Sequence, residues 1–167
     1  MLKHPERLAV AALAAQRLSE LVLSKRHERR LTEMGAVEHA HDHHRLIVLL
    51  HACWLLSTLI EARRPRTLAV LPAFMFVTGQ MLRYWSIVTL GTRWTTTIMV
   101  LPDVELVRSG PYRFSNHPNY AAVAVEIASF PLMFRAPRTA VAFSIANAAL
   151  MRLRIGEENA ALHTSAT

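Results

Sequence analysis

The stretch GPYRFSNHPNY, from Gly110 to Tyr120, brings an Arg, a His, two Tyr and two Asn into eleven residues of an otherwise apolar chain. An imidazole such as His117 can take or give a proton near neutral pH, and a guanidinium such as Arg113 can orient a carboxylate. Gly110 and Pro111 signal a turn, because glycine admits positive φ and proline fixes its own. Pro118 suits the first position of a helix, while His117 before it is pushed out of the α region. A helix starting there would turn backbone N–H groups towards an anion lying in front of it. The same residues would also suit an interfacial loop, since tyrosines line membrane boundaries generally.

A second group follows in RLRIGEENAAL, residues 152–162. Arg154 and Glu158 are four apart, so on one helix they share a face and can pair; Glu157 stands beside them. A solvated C-terminal helix would read the same way. Arg17 and Glu20, three apart in an apolar run, are costly in lipid unless they face the bundle and pair, which makes them candidates for packing or for a substrate pocket. His44 and His51, seven apart, share a helical face and are further pocket candidates, although a histidine inside an apolar run is more often a hydrogen-bonded core residue. The run EHAHDHH, residues 38–44, is rich in metal-type ligands, but contiguous residues rarely present them on one surface, so no metal is expected. A single cysteine, Cys53, excludes an internal disulfide, and no Gly-x-Gly-x-x-Gly occurs, which excludes the Rossmann route to a nucleotide cofactor.

These groups need elements to position them. Of 167 residues, 52% are hydrophobic and 19% charged, too apolar for an ordinary soluble domain. Apolar segments at about 8–24, 46–61, 68–90, 119–134 and 138–153 predict an all-α, integral-membrane bundle of about five transmembrane helices in one domain over 1–167. Several fall short of the roughly 20 residues that cross a bilayer core, so they must borrow flanking residues. Runs of this length also suit a soluble core, but the second over 46–60 and the fifth over 139–151 carry no charge, and a surface helix keeps one charged face. The start, MLKHPERLAV, reads as part of a first helix and not as a removable signal. The formal charge of +7 lies in short clusters between apolar runs, which suits membrane flanks and argues against a nucleic-acid partner. With five spans, one side holds Lys3, Arg7, Arg63, Arg64, Arg66, Arg135 and Arg138, and the other Lys25, Arg26, Arg29, Arg30, Arg45, Arg93, Arg108, Arg113, Arg152 and Arg154. The second side, which carries both reactive groups, is expected to be cytoplasmic.

Taken together, Gly110-Pro111-Tyr112-Arg113, NHPNY from Asn116 to Tyr120, Arg154-Ile155, Glu157 or Glu158, and Leu162 resemble the isoprenylcysteine carboxyl methyltransferase family. The run from Leu82 to Arg113 resembles that family's approach to its cofactor site, so the likeness covers at least residues 79–162. Asn116 stands where the family usually carries Arg, and with the usual gap after Arg-Ile the first acid falls on Glu158 and the second position on Asn159. The N-terminal half resembles a bacterial branch, small membrane enzymes encoded near type III polyketide synthases that methylate alkylpyrones or alkylresorcinols.

The resemblance implies an S-adenosylmethionine-dependent methyltransferase of the bacterial inner membrane, with cofactor-site segments at 91–118 and 154–167 facing the cytoplasm. It implies that Tyr112, His117, Pro118, Tyr120, Glu157 and Glu158 serve the cofactor. Arg113, Arg154 and His117 would be the catalytic residues: the arginines orient a carboxylate acceptor, and His117 or Glu158 takes the proton of a phenol or enol. The acceptor would be a lipophilic or prenylated molecule reaching the site from membrane lipid. A phospholipid N-methyltransferase, or a non-catalytic helix bundle that retains the motif, would share these features.

Overall fold

The computed structural model describes residues 4–39, 41–62, 69–102 and 104–164, without the side chains of 41–43 and 162–164. Lys3, Arg63, Arg64 and Arg66 of the basic count, Leu68 of the third segment, residues 165–167 and the Leu162 side chain lie outside it.

Five α-helices carry the chain: α1 (Pro5–Glu33), α2 (His41–Glu61), α3 (Val70–Leu90), α4 (Pro118–Met133) and α5 (Pro137–Thr164). The all-α expectation holds with one addition. Two three-residue strands, β1 (Val37–His39) and β2 (Ile98–Val100), pair antiparallel with Val37 opposite Val100 and His39 opposite Ile98. The pair ties the α1–α2 connection to the α3–α4 connection, and Ile98 and Val100 pack on Ala161 of α5. The first helix outruns its apolar segment by nine residues, and the fifth continues unbroken through Arg154 and Glu158.

Among the described residues, one stretch, His44–Glu61, is long and apolar enough to cross a membrane, with a mean hydropathy of 1.3. Five full crossings therefore do not follow from length and composition. Arg17 and Glu20 interrupt α1, Gln80 and Arg83 interrupt α3, α4 has only 16 residues, and α5 is charged in its last turns.

In α1 and α3 the distribution of polarity is inverted with respect to a water-soluble bundle. In α1 the buried residues include Glu6, Glu20, Ser24, His27 and Glu28, while Leu8, Leu18 and Val22 face outward. In α3, Arg83 and Ser86 are buried, whereas Val70, Leu71, Phe74, Val77, Met81 and Val88 are exposed. Inside, Arg17 donates to Glu20 at 2.8 Å and pairs with Glu126; Arg83 grips Glu20 through Nε at 3.0 Å and Nη2 at 2.6 Å. Gln16 bridges Glu20 and Gln80 at 3.0 and 2.9 Å. Two cations thus meet two anions between α1, α3 and α4. At Gly79 of α3 an added Cβ would lie 3.3 Å from Glu126 Cγ and 3.2 Å from Val125, so its small size sets the approach of α4.

An apolar cluster adjoins this network, with Trp54 and Phe130 packed among Leu13, Leu55, Ile127 and Phe134. Pro131, inside α4, has no N–H to give the Ile127 carbonyl four residues back. The Trp54 indole N–H takes its place at 3.2 Å and so joins α2 to α4. Glu61, ending α2, receives the Arg138 and Thr139 N–H groups at 3.0 and 2.6 Å and caps the start of α5.

Removing one member of the charge network strands its partner in an apolar interior. Arg83→Met is expected to cost about 3 kcal/mol, as breaking a buried pair typically does. Thermal unfolding in detergent should show Arg83→Met with Glu20→Gln losing less than the sum of the two single variants.

Candidate functional site

The GPYR turn is a short 3₁₀ segment, Gly110–Arg113, lying against the end of α3. Gly110 has φ +56°, and a Cβ there would come within 2.5 Å of Thr89 Oγ1 and 3.2 Å of Trp85 Nε1. Only glycine combines that dihedral with that approach. The turn thereby directs Tyr112, hydrogen-bonded to Ser86, to the site. Burial, with the nearby Glu158 carboxylate adding to it, pushes the Tyr112 phenol up to about 12.

Helix α4 opens at Pro118, as its position in NHPNY predicts, and Pro118 itself is buried outside the cavity. The Tyr120 and Ala121 N–H groups return to His117 O at 3.1 and 3.3 Å, and the His117 N–H goes to Ser115 Oγ at 3.2 Å. An anion at this helix start therefore finds at most the Asn119 N–H, fewer donors than the sequence suggests.

The His117 and Tyr120 rings stack, 5.3 Å apart and 8° from parallel. Tyr120 Oη donates to Glu158 Oε2 at 2.6 Å and accepts from Arg154 Nε at 2.8 Å. Arg154, almost fully buried, also donates to the Thr96 carbonyl at 2.6 Å. His117 Nδ1 faces Glu158 Oε2 at 3.6 Å, a contact that becomes an ion pair when the ring is protonated. One phenol hydroxyl thus joins residues 34 and 38 positions away in sequence.

These side chains line a cavity of about 860 Å³, together with Leu31, Leu90 and residues of the 93–101 and 104–108 stretches. Tyr112, Arg113, His117, Tyr120, Arg154 and Glu158 all face it; Glu157 does not. Asn116 faces it as an exposed amide, and the cations at this wall are Arg93, Arg108, Arg113 and Arg154. Arg113 is exposed and lies over the Phe114 ring at 5.1 Å. Among the described residues, no group of three metal-type ligands occurs.

The four pocket candidates of the N-terminal half do not line this cavity. Arg17 and Glu20 belong to the interior charge network. His51 Nδ1 bonds the Ile47 carbonyl at 2.9 Å, with its ring edge-on to Trp54. His44 reaches nearer, bonded to the backbone of Thr96, the residue whose carbonyl holds Arg154.

Sequence reasoning missed the residues that anchor this connection. Ser24 Oγ takes the Thr96 N–H at 2.8 Å and bonds Glu28, and His27 Nδ1 meets the Trp94 carbonyl at 2.7 Å. Burial alone would raise Glu28, but hydrogen bonds from Lys25, Ser24 and Thr97 outweigh it and hold the carboxyl below its ordinary range. Trp94 and Asn119 line the cavity, and Trp94 Nε1 and Asn119 Oδ1 are buried with no hydrogen-bond partner among the described residues. A polar residue near a helix end carries no sign of a partner some seventy positions away.

Compared with known proteins, residues 70–164 match the isoprenylcysteine carboxyl methyltransferase (ICMT) family. The uncharacterized protein YpbQ of Bacillus subtilis is 37% identical over 159 residues, covering 93% of this chain and 95% of the relative. An uncharacterized protein of Haemophilus influenzae is 26% identical over 161 residues, 93% of each chain. No solved structure matches.

Gly110→Ala is expected to destabilise the protein through both its dihedral and the Thr89 contact, the dihedral alone costing about 1–2 kcal/mol. Adding Thr89→Ala should recover part of the loss in a thermal melt, and no recovery would mean that the contact is not the cause. The raised Tyr112 gives a second test. The unfolded phenol ionises near 10 and the folded one near 12, so this group's contribution is fully present below pH 10 and is lost as pH rises to about 12. Tyr112→Phe should flatten the fall of stability across that window.

Proposed function

The chain belongs to the isoprenylcysteine carboxyl methyltransferase family, and from that membership we propose that it is an integral-membrane, S-adenosylmethionine-dependent O-methyltransferase acting on a lipophilic acceptor. The observation that carries the reading is the Tyr120 hydroxyl, which closes the 110–120 and 152–158 stretches around one cavity by bonding both Glu158 and Arg154.

The inverted polarity supports the membrane setting. In a bilayer core an outward Leu, Phe or Val is solvated by lipid, while charged side chains must turn inward and pair. The cavity lies at the end of the bundle where Ser24 and His27 join α1 to the 94–96 backbone, and Lys25, Arg26, Arg29 and Arg30 leave α1 beside it. A basic end of this kind belongs on the cytoplasmic side, here of the bacterial inner membrane.

The residues present fit the cofactor. Glu158 offers a carboxylate to its ammonium and Arg113 a guanidinium to its carboxylate. Tyr112, His117 and Tyr120 supply ring faces. When bound, S-adenosylmethionine offers an electrophilic methyl that passes to the acceptor oxygen as the carbon–sulfur bond breaks and its electron pair returns to sulfur. What the chain adds is alignment, the main contribution available to a direct displacement. Arg154, fixed by Tyr120 and Thr96, would present a rigid cation to an acceptor oxygen brought into the cavity. A hydroxyl acceptor must also lose a proton, and His117 can take it, its charge then balanced by Glu158 at 3.6 Å.

Calorimetric titration of the purified protein in detergent with S-adenosylmethionine tests the site. Glu158→Gln should weaken binding about tenfold or more, as losing one charge-assisted hydrogen bond does. Glu157→Gln should stay within about twofold by the same measure. Equal losses for both would overturn the assignment of the acid. Transfer of labelled methyl, offered a prenylcysteine and a long-chain resorcinol in parallel, reads the acceptor.

A further inference from the structure

The outward face of α3 changes character along its length. Phe74, Val77, Met81, Tyr84, Trp85 and Val88 recur at three- and four-residue spacings as one exposed stripe, wholly apolar as far as Met81 and carrying its two polar-tipped rings near the end. Tyr and Trp concentrate where hydrocarbon gives way to headgroups, so this end of α3 marks the membrane interface. Three arginines stand just beyond it. Arg93 closes the turn that follows α3, and Arg108 and Arg113 flank Gly110, where an added Cβ would lie 3.2 Å from Trp85 Nε1. All three are exposed and yet line the large cavity, so they stand at its rim.

Apolar side chains are interleaved with these cations. Leu106 is exposed, and Phe114 is 75% exposed beneath the Arg113 guanidinium. Arg93 donates to the Glu105 carbonyl at 2.8 Å, which draws it to the stretch that carries Leu106 and Arg108. The charges at the rim do not balance. From residue 84 to residue 116 the described acid is Glu105, Asp103 lying outside the described residues. Among the described residues, neither Arg93 nor Arg108 is paired with a carboxylate. S-adenosylmethionine does not supply the missing charge: its one carboxylate goes to Arg113, and its ammonium and sulfonium add two positive charges. Loading the cavity with it therefore increases the positive surplus around Arg93 and Arg108.

We propose that Arg93 and Arg108 bind the phosphate of an anionic phospholipid at the rim of the cavity, with Leu106 and Phe114 lying among its acyl carbons. The inference rests on the membrane setting proposed above. Guanidinium groups suit a phosphate, and apolar side chains left uncovered at the interface suit the start of the acyl chains. A zwitterionic headgroup carries its own cation beside the phosphate and leaves the surplus in place, whereas a net negative headgroup cancels it. A lipid held here forms part of the cavity wall, so the composition of the leaflet regulates how the site is enclosed.

Calorimetric titration of the full-length protein in a non-ionic detergent with dihexanoyl phosphatidylglycerol, and separately with dihexanoyl phosphatidylcholine, tests the site. At about fivefold for each arginine, the wild type should prefer phosphatidylglycerol by about twenty-five-fold, saturating at one lipid per chain. Arg108→Gln should cut that preference about fivefold, Arg93→Gln with Arg108→Gln should nearly erase it, and Phe114→Ser should weaken both lipids alike. Arg152→Gln removes an exposed charge of α5 that does not line the cavity, and should stay within about twofold. Equal affinity of the wild type for the two lipids would overturn the proposal. So would an equal loss in Arg152→Gln and Arg108→Gln, the mark of diffuse attraction to a basic surface, or glycerol 3-phosphate binding as tightly as the lipid. Failure of S-adenosylmethionine to bind the wild type, with the lipid preference intact, would instead overturn the methyltransferase reading and leave the lipid site standing.

Discussion

The interior meeting of Arg17 and Arg83 with Glu20 and Glu126 is the constraint on which the rest of the structure depends. Two charges of each sign sum to zero, so the cluster can stay buried, but only while all four are present. Because they come from α1, α3 and α4, their requirement to meet fixes how those helices lie. Desolvation makes such a cluster a modest contributor to stability and a strict arbiter of geometry. An apolar contact tolerates a shifted helix; a guanidinium gripping a carboxylate through two nitrogens does not.

The site inherits that geometry. Glu126 lies two turns into the helix that begins at Pro118, so anchoring it against Gly79 and Arg17 also places the His117 and Tyr120 rings. One residue on, the Ile127 carbonyl, freed by Pro131, is held by Trp54, so the middle of α4 is anchored to α2 as well. Against this fixed element α5 brings Arg154 and Glu158, and the Tyr120 hydroxyl bonds each of them. The connection from Trp94 onward is positioned from outside, by the β1–β2 pair, Ser24, His27 and Arg154.

Much of this was legible in the sequence. Apolar runs foretold five helices, Pro118 foretold where α4 starts, and the Arg154–Glu158 spacing foretold that both would reach one side of α5. Helix ends were less legible: α1 runs on to Glu33 through Lys25, Arg26, Arg29 and Arg30, because straight-chain basic residues are good helix formers whatever their polarity. The two strands were not foreseen, since three residues are too few to show an alternating pattern. The roles of Arg17 and Glu20 were half visible. Their cost in an apolar run announced that they must pair, but not that Arg83 and Glu126 complete the pairing.

By itself the sequence determined the class of the molecule, an all-α chain with apolar segments and two reactive stretches at their ends, and the family to which it belongs. Those properties are local or compositional, and hydrophobic period, turn chemistry and short motifs record them directly. Only the tertiary structure decided that Tyr120 joins Glu158 to Arg154 and that Glu158 and not Glu157 faces the cavity. Each of these depends on the rotation of one helix against another. That rotation is set by the summed demands of buried charges, freed carbonyls and close glycine contacts, which residues far apart in sequence satisfy together and no single stretch encodes.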